Sequence, residues 1–454
     1  MSGASAGRGG PEPVCVIGGG LAGIAAAVRI ARAGRPVTLL ERRSRLGGAT
    51  YTFQRRGVPV DTGQHVFLRC YTEYRELLRT IGGEPHVELQ RRFTVPVLAP
   101  GGRQYGLRRY ALPAPAHLVP ALLRYGLLSR PERWAAIRAA AALRGVAVED
   151  PAADEVTFGQ WLAEHGQGPG AVRRLWDVVT LAALNVPSAE ASLALAAHVF
   201  RTGLLDAADA ADIGRLTAPL ATVHAETALH LLRRIGARVR CGAAVRRIER
   251  DGAGYTVAAG GGEVRTPAVV LAVPHPAASR LVPAGAVPDP RRWLELGTSP
   301  IVNVHLHYAA PVTALPFAAA VDSPVQWLFR LPAAAGDAGQ RLVLSLSGAG
   351  ALIDVPASDL IDRYRDAVAE LLPRARATEL LDAFVTREPH ATIRQSPGVQ
   401  ALRPPAATRF PGLVLAGAWT ATGWPDTMEG AVRSGNAAAD IVLRHLASAS
   451  ASES

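Results

Sequence analysis

The 454-residue sequence has no lysine: all 49 basic residues are arginine, against 38 acidic residues, for a formal net charge of +11. Cysteine is nearly absent. Cys15, Cys70 and Cys241 are widely scattered, odd in number and without a Cys-x-x-Cys pair, which argues against a disulfide framework and a cysteine zinc site. Cys15 falls in an apolar strand pattern and reads as a buried, inert thiol, and a reducing cytoplasm fits. No uninterrupted apolar run reaches the roughly 18 residues that a spanning helix requires. The stretch from Met1 to Glu12 lacks the apolar core of a signal peptide and is expected to be a flexible leader. The arginines form no basic block and no nucleic-acid motif, so a lipid surface is a better expected partner than nucleic acid.

What remains is globular composition, 49% hydrophobic and 19% charged, in a chain too long for one core, so two associated domains are expected. Val14–Ile17 reads as a strand, Leu21–Ala33 as an Ala-rich helix and Pro36–Leu40 as the next strand: a β-α-β unit of ordinary size. Phe93–Val97 and Gln104–Leu107 flank Pro100-Gly101-Gly102 as a hairpin. From Tyr110 to Val146 the pattern is helical, with leucines interleaved with arginines. Further helices are expected at 158–165, 171–184, 189–201, 222–235, 359–372 and 428–445. Strands are expected at 237–241, 245–250, 255–258, 268–273, 301–308, 325–331, 341–346 and 413–416. The Ala/Ser-rich tail from Ala447 reads as disordered.

Gly18-x-Gly20-x-x-Gly23 follows a strand and opens a helix, which is the context that makes this spacing a dinucleotide signature. Gly18 permits the turn, Gly20 lets backbone approach a pyrophosphate, and Gly23 allows helix and strand to pack closely. The helix N-terminus at Leu21 and Ala22 offers free N–H groups to phosphate. Glu41, 23 positions after Gly18, is placed to bond a ribose hydroxyl and disfavours a 2′-phosphate, leaving FAD or NAD.

The segment Glu41-Arg42-Arg43-Ser-Arg45-Leu-Gly47-Gly48 resembles the paired-glycine loop of the amine oxidase and phytoene desaturase superfamily of flavoproteins. The resemblance implies FAD, an α/β fold with a Rossmann-type FAD domain, and an interleaved α+β substrate domain bearing a helical cap. Arg43 and Arg45 can offset pyrophosphate charge, while the family's usual arginine or other polar residue after the doublet is here Ala49. Val245 resembles the residue whose backbone pairs with adenine, and 268–274 the strand returning the chain to the substrate domain. Gly417-Ala418-Trp419 and Thr427-Met428-Glu429-Gly430 resemble the flavin-closing motif, with Ala418 where the family has Asp. Gly63 and Gln64 are expected beside the cofactor. The implied FAD domain comprises 13–75, 216–275 and 386–446, and the substrate domain 76–215 and 276–385, with 1–12 and 447–454 as flexible termini.

Three segments narrow the resemblance: Val60-Asp61-Thr62-Gly63-Gln64-His65-Val66, Arg174–Pro187, and Gly423–Gly435. Together they look like the squalene-associated flavoproteins of bacterial hopanoid pathways, the hydroxysqualene dehydroxylase family. That family implies reductive loss of an allylic hydroxyl from a C30 isoprenoid, giving squalene. It also implies a lipophilic isoprenoid substrate, a location at the inner face of the cell membrane, and other squalene-pathway enzymes as partners. The Tyr110–Val146 stretch reads either as an interfacial segment or as an ordinary cap helix.

Such a reaction needs a proton for the leaving hydroxyl, and the candidate donors are His65, Asp61, Asp426 and Glu429. Each has a plainer reading: Asp61 as a turn or cap residue, His65 as a packed side chain, Glu429 as a helix-terminal group or ribityl ligand. Asn185 and Asp177 read as structural, and the His305/His307 pair as pocket lining, so no metal is expected. The rivals are a carotenoid-type desaturase, running in the opposite redox direction, an amine oxidase using Trp419 and Trp424, and a non-catalytic flavoprotein partner of an isoprenoid complex.

Overall fold

The computed structural model describes residues 12–252, 254–332 and 339–452. Apart from Glu12, the expected leader lies outside the described residues, as do the last two residues of the tail. Strand β1 (Val14–Ile17), helix α1 (Leu21–Arg32) and strand β2 (Val37–Glu41) form the β-α-β unit. They sit in a five-stranded parallel sheet ordered 238–241, β2, β1, 269–271, 413–415. Residues in β1 and β2 are buried throughout, including Thr38 and Glu41, as expected of a parallel sheet covered on both faces. The closing helix Met428–Ser452 lies against α1 so closely that a Cβ on Gly435 would stand 2.1 Å from the Ala22 carbonyl oxygen.

A second, seven-stranded sheet runs in the order 380–392, 299–308, 340–346, 327–330, 317–320, 94–99, 103–108. One face buries Val302, Val304, Leu328 and Leu344 against helix Ala357–Leu371. On the other, Val95, Val97, Phe317 and Phe329 pack with a helical layer that contributes Leu143, Phe158, Trp176 and Phe200. Asn185 ties that layer to the sheet: its amide donates to the Ser299 carbonyl at 2.9 Å and accepts from the Gly348 N–H at 2.7 Å. Asp177 accepts from the Ser188 N–H at 2.8 Å.

Three expectations change. The continuous helical stretch from Tyr110 divides into Val119–Arg124 and Arg130–Leu143, the second opened by a Ser129/Glu132 capping box with Pro131 in its first turn. Strand Leu380–Thr392, the longest in the protein's described residues, has no counterpart among the expected strands. It contains Pro389 and three charged residues, Asp382, Arg387 and Glu388, and these are tolerated because it is an edge strand. The expected disordered tail is helical through Ser452, in keeping with alanine's strong helix propensity.

Candidate active site

The turn after β1 is set by backbone sterics. Gly18 has φ +107°, and a Cβ there would lie 2.2 Å from the Ala272 carbonyl oxygen. A Cβ on Gly23 would lie 1.8 Å from the Gly18 oxygen, so helix and turn approach as no side chain allows. The paired-glycine loop meets this turn through bare backbone: a Cβ on Gly48 would be 2.7 Å from Gly20 Cα, and the Gly47 N–H donates to Gly19 O at 2.8 Å. Helix α1 starts at Leu21 and Ala22 with no side-chain cap and no acid in its first turn, leaving its N–H groups available to an anion.

Glu41 ends β2 with both carboxylate oxygens on backbone amides, Gly19 N–H and Arg43 N–H, each at 2.7 Å. Arg42 is exposed. Arg43 donates to Gly48 O at 3.0 Å, and Arg45 lies 3.6 Å over the Tyr51 ring. Ala49 is exposed, and its carbonyl accepts the Thr62 hydroxyl at 2.9 Å. Two bonds to β2 and its following turn, Ala243 N–H to Glu41 O and Gly242 N–H to Arg43 O at 2.8 Å each, bring the Val245 strand alongside Glu41. An uncapped helix start, glycine contacts without side chains and two guanidinium groups at the loop suit the diphosphate of a dinucleotide.

At the closing end, Gly417 has φ +138° and donates to Ser434 Oγ at 2.8 Å. Ala418 is buried, and Arg403 supports its loop, donating to the carbonyls of Ala418 at 2.7 Å and Thr420 at 3.0 Å. Met428 begins the closing helix. Trp419 packs on Trp293, whereas Trp424 packs on Tyr71 and His198. The two tryptophans named for an amine-oxidase reading thus serve different clusters.

The four candidate proton donors separate clearly. Glu429 is fully buried, accepts from the Glu73 and Tyr74 N–H groups at 3.2 and 2.8 Å, and pairs with Arg433 at 2.8 Å. It therefore caps helix α2 (Thr72–Ile81). Asp426 accepts the Ile393 N–H at 2.7 Å, and its own N–H donates to Gln395 at 2.8 Å. Burial raises both carboxyls above their ordinary range.

Asp61 differs. Its bonds from Thr52 Oγ1 at 2.5 Å and the Leu220 N–H at 3.0 Å fall on one oxygen, Oδ1, and burial raises this carboxyl too. His65 donates from Nδ1 to Gly63 O at 2.9 Å, which leaves Nε2 as an acceptor in the neutral ring. Burial holds its pKa down, opposed by the Gly63 carbonyl and the Asp61 charge. Asp61, Gln64 and His65 line one pocket with Leu216, Phe317 and Phe329.

Two residues carry no motif signal. Asn303 is fully buried beside Gly63, donates to Thr62 O at 3.0 Å, and has an unpartnered Oδ1. His224, on the segment that follows the Asp61–Leu220 bond, holds the Tyr74 hydroxyl at 2.8 Å. Both look like ordinary core residues in the sequence. His305 stacks on Phe384 with centroids 4.2 Å apart. Among the described residues no three potential metal ligands converge, and no helix is long and apolar enough to cross a membrane.

The family described as flavin containing amine oxidoreductase matches residues 21–443. Hydroxysqualene dehydroxylase of Sinorhizobium fredii is 31% identical over 95% of this chain and 99% of its own. The enzyme of that name from Rhodopseudomonas palustris is 32% identical over 95% and 98%. A putrescine oxidase triple mutant superposes with a TM-score of 0.72 over 96% of this chain and 99% of its own, at 20% identity, which speaks to fold. The chain belongs to the flavin-containing amine oxidoreductase family and is an FAD-dependent oxidoreductase.

Proposed function

We propose that the protein reductively dehydroxylates hydroxysqualene to squalene. The observation that carries this reading is the pocket in which Asp61 and His65 meet Leu216, Leu220, Phe317 and Phe329, with Gln64, Arg215 and Arg330 in the same lining, an acid set beside apolar side chains as a hydrocarbon alcohol requires. The dehydroxylase names of the full-length relatives support the same substrate class. Asp61 is the proposed proton donor: Oδ2 has no hydrogen-bond partner among the described residues, and burial favours the protonated form. His65, neutral with its Nε2 lone pair free, orients the hydroxyl as an acceptor. The FAD, when reduced, supplies hydride; the apolar walls exclude water from the reacting carbon.

The cofactor is assigned to the Gly18–Gly23 turn, Glu41, Arg43 and Gly47-Gly48, with Val245 at the adenine, and Gly63, Gln64, Gly417, Ala418 and Met428 toward the flavin. All five strands of the parallel sheet fall within 13–75, 216–275 and 386–446, which supports those segments as the FAD domain. Leu112, Leu123 and Trp134 are 44%, 36% and 54% exposed amid exposed Arg108, Arg124, Arg130 and Arg138. This arginine-ringed apolar surface is the proposed docking face for the cytoplasmic leaflet.

The deciding experiment is anaerobic. FAD-loaded, fully reduced protein is mixed with hydroxysqualene in detergent while flavin absorbance and extracted products are followed. Flavin reoxidation matched by squalene is expected. A verified reduced flavin that stays reduced would sink the reading and turn attention to oxidised protein with polyenes.

A further inference from the structure

The pocket that holds Asp61 and His65 is walled by rings. Phe317 and Phe329 are directly paired across the antiparallel strands Phe317–Ala320 and Trp327–Arg330. Their centroids are 6.3 Å apart at 37°, and both residues line the pocket. Trp327 stacks on Phe329 at 6.1 Å and 18°, and its indole N–H donates to Val178 O at 3.3 Å. Cross-strand pairing and this anchor fix the rings in place. Aromatic residues make up only 6% of the chain, while leucine, valine and alanine abound. A hydrocarbon substrate asks only for an apolar wall, which aliphatic side chains supply. Rings add a negative π-face, which matters to a positive charge.

Two arginines share the pocket with the rings. Arg215, at the pocket edge, is paired with Glu88 at 2.5 Å. Arg330, which follows Phe329 along the strand, also lines the pocket, so any attraction of a cation to the rings acts against its charge.

We propose that Phe317 and Phe329 are catalytic residues that stabilise the allylic cation formed as the carbon–oxygen bond breaks, an assignment that rests on the dehydroxylase reading above. Asp61 transfers its proton to the departing oxygen, which leaves as water with the bonding electron pair. The cation faces the rings. It is then reduced by hydride, two electrons and one proton in all, from the reduced flavin, which is thereby oxidised.

The test compares two ligands of the full-length protein: a C30 isoprenoid amine whose ammonium nitrogen replaces the carbinol carbon, and its uncharged hydrocarbon isostere. Binding is followed by tryptophan fluorescence without turnover. Wild type is expected to prefer the ammonium ligand. Phe317→Leu and Phe329→Leu should each lower that preference about threefold to tenfold, with affinity for the hydrocarbon nearly unchanged. Fluorinated phenylalanine at position 329 keeps the shape and should lower the preference stepwise with each fluorine. Asp61→Asn should preserve the dependence on the rings. A preference indifferent to fluorination, or equal weakening of both ligands, would overturn the proposal by reducing the rings to shape alone. Wild-type turnover of hydroxysqualene, measured in parallel, separates the two ideas: turnover with flat fluorine dependence removes only the cation assignment, whereas no turnover removes the dehydroxylase reading beneath it.

Discussion

Glu41 and Asp61 are both acids at the end of a strand, and their surroundings differ in a way that separates the two halves of the site. Each oxygen of Glu41 accepts a backbone N–H, from Gly19 and Arg43. Its place is prescribed by main chain, like everything around it: Gly18, Gly23, Gly47 and Gly48 stand where a Cβ would strike backbone. Both bonds to Asp61 fall on Oδ1, and Phe317 and Phe329 in its pocket come from strands more than 250 residues later in the chain. The first region is a backbone mould and the second an assembly of side chains. A mould tolerates no added atom, whereas an assembly tolerates shape-preserving changes and responds to charge.

The sharpest way to break that comparison is to fill the mould. Gly23→Ala puts a methyl carbon 1.8 Å from the Gly18 carbonyl oxygen, so the turn must open. FAD affinity should fall on the order of a hundredfold or more, and the purified variant should lack the flavin absorbance of wild type. Retained flavin at full occupancy would show that the cradle is not held by sterics. Asp61→Asn probes the other region. The isosteric amide keeps an oxygen for Thr52 and Leu220, so flavin content should stay at the wild-type level while turnover drops by roughly 10²- to 10⁴-fold. Because burial raises the Asp61 pKa, the protonated donor is lost as pH rises through that raised value. Wild-type turnover should therefore decline with rising pH along a limb that the Asn variant lacks.

The same contrast explains what was legible in the sequence. Glycine positions record the mould directly, since each marks a place where backbone needs room, and the β-α-β unit, Glu41 and the paired-glycine loop all follow from spacing. Asp61 and His65 were legible as candidates through their segment, but the choice among four acids was not. It depends on Glu429 meeting the start of α2, some 355 positions away in sequence, and on Asp426 meeting Ile393. Phe317 and Phe329 read as ordinary core residues because a strand does not announce which pocket its face will meet. Strand Leu380–Thr392 was hidden by Pro389 and its charges, which belong to its edge position: Asp382 pairs with Arg55 at 2.5 Å and Glu388 accepts from Tyr51 at 3.3 Å.

Buried histidines sharpen the comparison through stability. His224 and His305 are 0% and 5% exposed, and burial holds both near a pKa of about 3, with His65 and Arg55 respectively adding to the depression. The unfolded chain binds protons at these groups below its ordinary value of about 6.5, and the folded chain does not. Their contribution is therefore fully present above pH 6.5 and is lost as pH falls toward about 3, at up to ~1.4 kcal/mol per pH unit for each histidine. Denaturant unfolding between pH 7 and pH 5 should show this loss. His305→Phe, which keeps the stack on Phe384, should remove about one histidine's share of the slope. An unchanged slope would mean that His305 is already protonated in the folded protein.

The smallest expected effect falls on Glu429, and its size is the point. If this carboxylate is the cap of α2 and the partner of Arg433, Glu429→Gln retains an oxygen for the Tyr74 N–H and loses only the charge. Unfolding free energy should drop by about 1–2 kcal/mol, while turnover per folded, flavin-loaded molecule stays within about twofold of wild type. A proton donor would behave in the opposite way, because the amide cannot deliver a proton: stability would hardly change and turnover would collapse as it does for Asp61→Asn. Measuring both quantities on the one variant therefore decides between a carboxylate that orders the flavin-closing helix and one that acts on substrate. The three partners within 3.2 Å of a fully buried side chain favour the first.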